Sequence, residues 1–79
     1  MIDFVEVMQR MKSILLAQSR AKKVLDKDVA IALELDPLYY AVMKKRKKIP
    51  YESLAYFCKK EKISINWMLL EQKPQYLTS

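Results

Sequence analysis

The chain has 79 residues, of which 52% are hydrophobic and 30% are charged, a composition typical of one small folded domain. It contains no His, no Gly and one Cys, which excludes an ordinary zinc site, His-dependent nucleophilic catalysis and a glycine-rich phosphate loop. The nine acidic residues are scattered, and no pair stands out. We therefore expect that the protein is not an enzyme and uses no cofactor.

The charge balance points to an anionic partner. Lys and Arg outnumber Asp and Glu by 15 to 9, which gives a net charge of +6. Nucleic acid, a membrane surface and an acidic protein are all compatible with such a charge. No stretch approaches the ~20 apolar residues of a transmembrane helix, and the first residues do not resemble a signal peptide. We expect a cytoplasmic protein with no membrane association, and no small-molecule substrate is evident.

Apolar residues recur at helical spacing along the whole chain, which predicts five helices and no strands. The first helix is expected to reach about Gln18, with Asp3 as its N-cap and an apolar stripe at Phe4, Met8, Met11 and Leu15. Residues 19–23 are expected to form a polar connection or a frayed helix end. A second helix follows with Asp26 as its cap and apolar positions at Leu25, Val29, Ala30 and Leu33.

The Asp36-Pro37 pair predicts the start of a third helix, because Asp is a strong N-cap and Pro is favoured at the first helical position. Only about two residues are expected between the second and third helices. The third helix is predicted over 37–45. Pro50 then disfavours a helical conformation for the residue before it, so the chain should leave the helix between 46 and 49.

A fourth helix is predicted over 51–60, with Leu54, Phe57 and Cys58 on one face. Ser64 is expected to cap a short fifth helix that contains Trp67 as a core anchor. Cys58 should be a buried structural thiol. The three tyrosines that we assign to the core or its rim are Tyr40, Tyr51 and Tyr56. We expect one domain over 1–73 and a loose tail over 74–79.

Two short helices joined by a tight turn, within a basic all-α domain, have the outline of a helix-turn-helix. Ala30 provides a small side chain where the two helices approach closely. Glu34, four residues later, occupies the turn position that usually needs a left-handed backbone. The apolar anchors between the helices are then Tyr40 and Met43, with Leu33 and Leu35 facing them.

Three segments between 26 and 71, KDVAIALELDP, MKKRKKIPYESL and KISINWMLLE, resemble the N-terminal helix-turn-helix domain of phage CI-type repressors. The most specific parts are Arg46–x–x–Ile49-Pro50 and Ser64–x–x–Trp67. The resemblance implies a compact five-helix lambda-repressor-like domain. It also implies sequence-specific binding of double-stranded DNA, usually as a dimer, to repress transcription.

This chain departs from the family's pattern at its turns. Glu34, Lys47 and Lys62 stand where the family has glycine. Met43 stands where the family commonly has an aromatic residue at the end of the recognition helix.

In a helix-turn-helix, the start and outer face of the second helix meet base edges in the major groove. The base-reading candidates are Pro37, Leu38, Tyr39, Ala41 and Val42, and Lys45 lies on the same face. The set contains no Gln, Asn or Arg. Direct readout would rest on contacts of Leu38, Ala41 or Val42 with thymine methyl groups, while Tyr39 would touch a phosphate or a base. The alternative is that Leu38 and Val42 pack against something else.

Phosphate contacts are expected from the basic run that follows the third helix, with one contribution from the second helix. The candidates are Lys27, Lys44, Lys45, Arg46, Lys47 and Lys48. A solvated charged surface is the alternative for such a run. Because one module of this size spans few base pairs, we expect a homodimer with recognition helices ~34 Å apart on a near-palindromic site.

Two other functions remain open. One is a protein-interaction adaptor of helix-turn-helix fold for an acidic partner, which the apolar face formed by Leu38, Ala41 and Val42 favours. The other is binding to a membrane surface, which fits less well because the basic residues do not line one face of an amphipathic helix.

Overall fold

The computed structural model describes residues 1–19 and 22–77. These residues contain five helices, which are α1 (Phe4–Gln18), α2 (Asp26–Ala32), α3 (Pro37–Lys45), α4 (Tyr51–Glu61) and α5 (Ile65–Leu70). No strand occurs in this part of the chain, where one isolated bridge joins Ile63 and Tyr76. The predicted all-α class and the order of the five helices are confirmed. Residues 20 and 21 of the expected connection and residues 78 and 79 of the expected tail lie outside the described residues.

Three of the predicted N-caps are present. The side chains of Asp3, Asp36 and Ser64 each accept a hydrogen bond from a backbone N–H in the first turn of their helix, at 3.0, 2.8 and 3.3 Å. Asp36 accepts a second one, from the N–H of Tyr39 at 3.3 Å. These bonds satisfy N–H groups that have no partner within the helix, so local sequence fixes where α1, α3 and α5 begin.

The start of α2 differs from the prediction. Asp26 is not a cap but the first helical residue, and the N-cap position belongs to Leu25. The carboxylate of Asp28 accepts the N–H of Leu25 at 2.9 Å instead. Four residues, 33–36, separate α2 from α3 rather than about two, because α2 already ends at Ala32 and Asp36 caps α3 from outside.

The described helices share one core. Its fully buried side chains come from all five helices and from the α4–α5 connection; the largest are Tyr40, Met11, Ile14, Leu54, Ile63 and Met68. In α1 the stripe includes Val7 and Ile14, whereas Leu15 is only partly buried. Trp67 packs against the core from its edge, and the buried residue of α5 is Met68. Cys58 is buried as predicted, and burial raises the pKa of its thiol to about 11.

Four helices end at a non-glycine residue in the left-handed region, namely Glu34, Lys47, Lys62 and Glu71, with φ between 53° and 58°. After α2, the N–H of Glu34 donates to the carbonyl of Ile31 at 3.0 Å, and the N–H of Leu35 donates to that of Ala30 at 2.8 Å. This is the Schellman arrangement, which satisfies carbonyls at the helix end. The left-handed backbone expected at Glu34 is confirmed.

Substitution of Glu34 by glycine should stabilise the protein. A side chain with a Cβ costs on the order of 1 kcal/mol in left-handed geometry, and glycine removes that cost. We expect Glu34→Gly to raise the free energy of unfolding by about 0.5–1 kcal/mol in urea titrations. Lys59→Gly is the matched control, because Lys59 is exposed within α4 and glycine there should destabilise by about 1 kcal/mol. Equal effects of the two changes would contradict this account.

The segment after α5 is not loose where the structure describes it. The N–H of Ser64 donates to the carbonyl of Gln75 at 2.9 Å, and the N–H of Leu77 donates to that of Lys62 at 2.8 Å. Residues 75–77 therefore lie alongside the α4–α5 connection. The expectation of a loose tail from residue 74 was wrong for this described part, because backbone pairing over a long sequence separation leaves no local pattern.

Arg10 joins α1 to the end of α5. Its Nε donates to the carbonyl of Met68 at 2.7 Å, and its Nη2 donates to that of Leu69 at 3.0 Å. Its side chain is only 13% exposed, and Glu71 lies 3.9 Å from Nη1. A guanidinium thus satisfies carbonyls at a helix C-terminus, where a positive charge is also favoured by the helix dipole.

Candidate nucleic-acid interface

The exposed face of α3 contains every residue predicted to meet base edges. Leu38 is 80% exposed, Tyr39 56% and Val42 47%, and Pro37 and Ala41 are exposed as well. Leu38 and Val42 are therefore not part of the core of the described residues, and the alternative in which they pack against something other than DNA stays open for a partner molecule. The opposite face of α3 is anchored by Tyr40 and Met43, both buried as predicted.

Helical spacing arranges the exposed side chains of α3 as one stripe. Leu38, Ala41, Val42 and Lys45 follow one another at i, i+3, i+4 and i+7, positions that share a face of an α-helix. We call these four residues the α3 stripe. Three of its members are purely apolar and the last is cationic, so the stripe offers carbon surface along most of its length and a positive charge at one end.

A cleft of about 540 Å³ lies between the start of α2 and α3. Its lining brings together two base-reading candidates and three phosphate-binding candidates; the lining residues are Asp26, Lys27, Pro37, Tyr40, Ala41, Lys44 and Lys45. The fold therefore places Lys27, from α2, beside the lysines at the end of α3. Apolar contact positions and cationic side chains adjoin each other on this surface.

Asp26 lines two of the clefts beside α3, although its sequence position predicted only a capping role. Its Oδ1 lies 3.0 Å from the Nζ of Lys12, and its Oδ2 accepts a hydrogen bond from the Nζ of Lys44. The hydrogen bond from Lys44, followed by that from Lys12, holds the pKa of Asp26 below its usual value. Lys44 is therefore partly neutralised, whereas no such contact was expected for any of the phosphate-binding candidates.

The ion pairs of Asp26 make the free energy of unfolding depend on pH. Because the pKa of Asp26 is lowered by folding, its contribution is present above the ordinary pKa of 3.8 and is lost as pH falls through the lowered value. We expect Asp26→Asn to destabilise by no more than about 1 kcal/mol near pH 6, since exposed ion pairs contribute little. The difference from wild type should shrink as pH falls below 3.8, measured in urea titrations.

A double-mutant cycle provides the control for this effect. Lys44→Met should destabilise the wild type near pH 6 and should have less effect in the Asp26→Asn background. Additive effects of the two substitutions would show that the Asp26–Lys44 contact contributes nothing to stability.

The basic run after α3 is exposed and its end is anchored. All five side chains from 44 to 48 are exposed, and Ile49 and Pro50 are buried. Lys47 has a φ of 53°, and the N–H of Lys48 donates to the carbonyl of Met43 at 2.9 Å. The buried Ile49-Pro50 pair and this helix-end hydrogen bond hold both ends of the run on the body of the protein.

The run contributes to more than one cleft. Lys44 and Lys47 also line a cleft of about 360 Å³ between α1 and α3, together with Lys12 and Asp26. Lys45 lines the cleft beside α2. The cationic side chains are thus distributed around α3, as contacts with an extended anionic backbone would require.

On another side of α3, a cleft of about 280 Å³ lies against α4 and is lined by Leu35, Tyr39, Met43, Pro50, Tyr51, Glu52, Ser53 and Tyr56. Tyr51 and Tyr56 are 51% and 63% exposed, so they belong to the rim of the fold. Tyr40 belongs to the core, and desolvation, followed by the nearby charge of Asp26, raises its pKa to about 12. The assignment of these three tyrosines to core or rim is confirmed.

Within the described residues, none of the helices combines the length and the apolar character needed to cross a bilayer. Comparisons with protein families, with curated proteins and with solved structures find no match to this chain.

Proposed function

We propose that the protein is a DNA-binding transcriptional regulator, a repressor similar to those of the phage CI type. The observation that carries the proposal is the exposed, mainly apolar α3 stripe directly beside a cleft lined by Lys27, Lys44 and Lys45. In this proposal α2, residues 33–36 and α3 form the helix-turn-helix of a lambda-repressor-like domain. Helix α3 enters the major groove and the lysines contact phosphates on its borders.

The backbone supports the proposed family. Glu34, Lys47 and Lys62, which stand where the repressor family has glycine, are three of the four described non-glycine residues with positive φ. Glycine is the usual residue at such positions, so the turns expected from the family have the backbone that the family's glycines would require. Agreement at three separate turns is what a turn geometry shared with that family would produce, although many helices end in this way.

The proposed complex contains two copies of the chain. A single α3 spans only a few base pairs, whereas two copies related by a two-fold axis would double the site and give it near-palindromic symmetry. The cationic candidates that form no ion pair with another described residue are Lys27, Lys45, Arg46, Lys47 and Lys48. About four phosphate contacts per subunit are therefore within reach.

Titration of the full chain against a fluorescent duplex of random sequence tests this function. Binding should be measurable at about 50 mM salt, and log K should fall with log salt concentration with a slope of roughly −4 per subunit. The absence of binding at low salt would refute the proposal. A slope near zero would do the same, because it would show that no phosphates are neutralised.

An adaptor for an acidic protein partner is the second candidate. The exposure of Leu38, Tyr39 and Val42, together with the rim tyrosines of the α4 cleft, favours it, since aromatic and apolar side chains dominate protein interfaces. The duplex titration separates the two candidates. An adaptor of this kind would show no duplex binding at low salt.

A further inference from the structure

The two aspartates beside α3 are both engaged within the protein. Asp36 uses its carboxylate to cap α3 through two backbone N–H groups, and Asp26 holds Lys12 and Lys44. Among the base-reading candidates only Tyr39 carries a side-chain hydrogen-bonding group. Leu38, the most exposed large apolar side chain of α3, is 80% exposed.

An apolar side chain that covers the edge of a base can bury hydrogen-bond donors and acceptors of that base without giving them partners. Such unpaired buried groups cost free energy. The major groove offers one apolar feature among the four base pairs, which is the methyl group at C5 of thymine. Leu38 and Val42 therefore gain most when they face that methyl group. Cytosine methylated at C5 carries the same group at the same place on the pyrimidine ring.

We propose that the apolar part of the α3 stripe, formed by Leu38, Ala41 and Val42, recognises the 5-methyl group of a pyrimidine in the major groove, on thymine or on 5-methylcytosine. This inference rests on the proposed DNA-binding function and adds the chemical group that is selected. Charge complementarity favours DNA as the occupant. Ala41 lines the same cleft as Lys27 and Lys45, whose charges are unpaired among the described residues, while Lys44 in that cleft pairs with Asp26. A polyanion is therefore attracted to the border of the apolar surface.

The expected discrimination follows from the size of the group. Removing one contacted methyl should weaken binding about fourfold, the equivalent of ~0.8 kcal/mol per buried carbon group. Two contacted methyl groups in a half-site should together give about 10- to 20-fold. This discrimination between bases is weaker than that of bidentate hydrogen bonds. It depends on the methyl group and on no other group of the base.

The test uses a duplex selected by the full chain from a random pool, in which each thymine is replaced in turn by deoxyuridine. Deoxyuridine keeps every hydrogen-bonding group of thymine and removes only the methyl. We expect a loss of about fourfold at one or two positions in each half-site. At the same positions a C·G pair should bind more weakly than T·A, and 5-methylcytosine should recover about fourfold relative to cytosine.

Two variants assign the effect to the stripe. In Leu38→Ala or Val42→Ala the difference between thymine and deoxyuridine should fall to less than twofold at the affected position. Lys45→Ala is the control and should weaken both duplexes equally. Circular dichroism checks the fold of each variant, and all three side chains are exposed.

Each remaining outcome overturns the inference in a distinct way. Duplex binding without any sensitivity to deoxyuridine would leave the proposed function intact and refute methyl recognition. Sensitivity that persists in both apolar variants would assign the effect to DNA shape. If thymine restores the affinity but 5-methylcytosine does not, the claim that both bases are recognised by the same methyl group is refuted. No binding to any duplex would refute the proposed function itself.

Discussion

Arg10→Ala is expected to lower the free energy of unfolding by about 2–3 kcal/mol. The substitution removes two charge-assisted hydrogen bonds, of 2.7 and 3.0 Å, to the carbonyls of Met68 and Leu69. It leaves those carbonyls unpaired at a partly buried helix end, which costs more than the loss of an exposed contact. The midpoint of thermal unfolding should fall by about 10–20 °C, measured by circular dichroism.

Two further substitutions separate the hydrogen bonds from the charge. Arg10→Lys keeps the charge but not the planar pair of donors, so its effect should be intermediate. Glu71→Gln should change stability by less than about 0.5 kcal/mol, because the Glu71 side chain is 75% exposed and lies 3.9 Å from the guanidinium. A loss of less than 0.5 kcal/mol for Arg10→Ala would show that water replaces the guanidinium without cost.

The features that sequence analysis predicted correctly are local. A cap such as Asp36 acts on N–H groups two and three residues later, and Pro37 fixes the backbone of its own position. The buried side of α3, with Tyr40 and Met43, follows from the helical period. Once that side is known, the exposed position of Leu38 follows as well, so the outer face of α3 was predictable.

The features that sequence analysis missed join residues far apart in the chain. Arg10 lies 58 residues from Met68, and no spacing rule connects them. Asp26 was assigned a cap because it precedes apolar helical residues, yet α2 starts one residue earlier than that pattern suggests. Its carboxylate then lies where α1 and α3 each bring a lysine, a meeting that depends on how the helices pack.

The left-handed turns illustrate both cases. Glu34 was predicted to be left-handed from its distance to Ala30 within a recognisable pattern. Glu71 was not, because no residue near it indicates the end of α5, and a chain without glycine lacks the usual marker of such turns. The low cost of one left-handed residue, about 1 kcal/mol, allows other residues to take these positions.

Lys45→Ala combined with Arg46→Ala is expected to weaken duplex binding by about 10- to 100-fold at 0.1 M salt on every sequence. Each phosphate contact contributes close to 0.9 to the salt slope, so the slope should become less steep by nearly 2. Lys45 lines the cleft beside α2, and Arg46 ends α3 with its side chain exposed. Anisotropy titrations at several salt concentrations measure both quantities.

Lys59→Ala combined with Lys73→Ala removes the same charge from exposed positions that line none of the three clefts around α3. If the basic run acts through phosphate contacts rather than through net charge, this control should change affinity by less than about threefold.

Asp26→Asn should raise the affinity for duplex DNA, because it releases Lys44 from its ion pair. One added contact would raise affinity by up to about eightfold at 0.1 M salt and steepen the slope by nearly 1. If both double variants lose the same affinity, binding depends on the general positive potential of the protein and not on particular contacts. If Asp26→Asn raises the affinity while Lys45→Ala/Arg46→Ala lowers it, the phosphate contacts lie on the surface around α3.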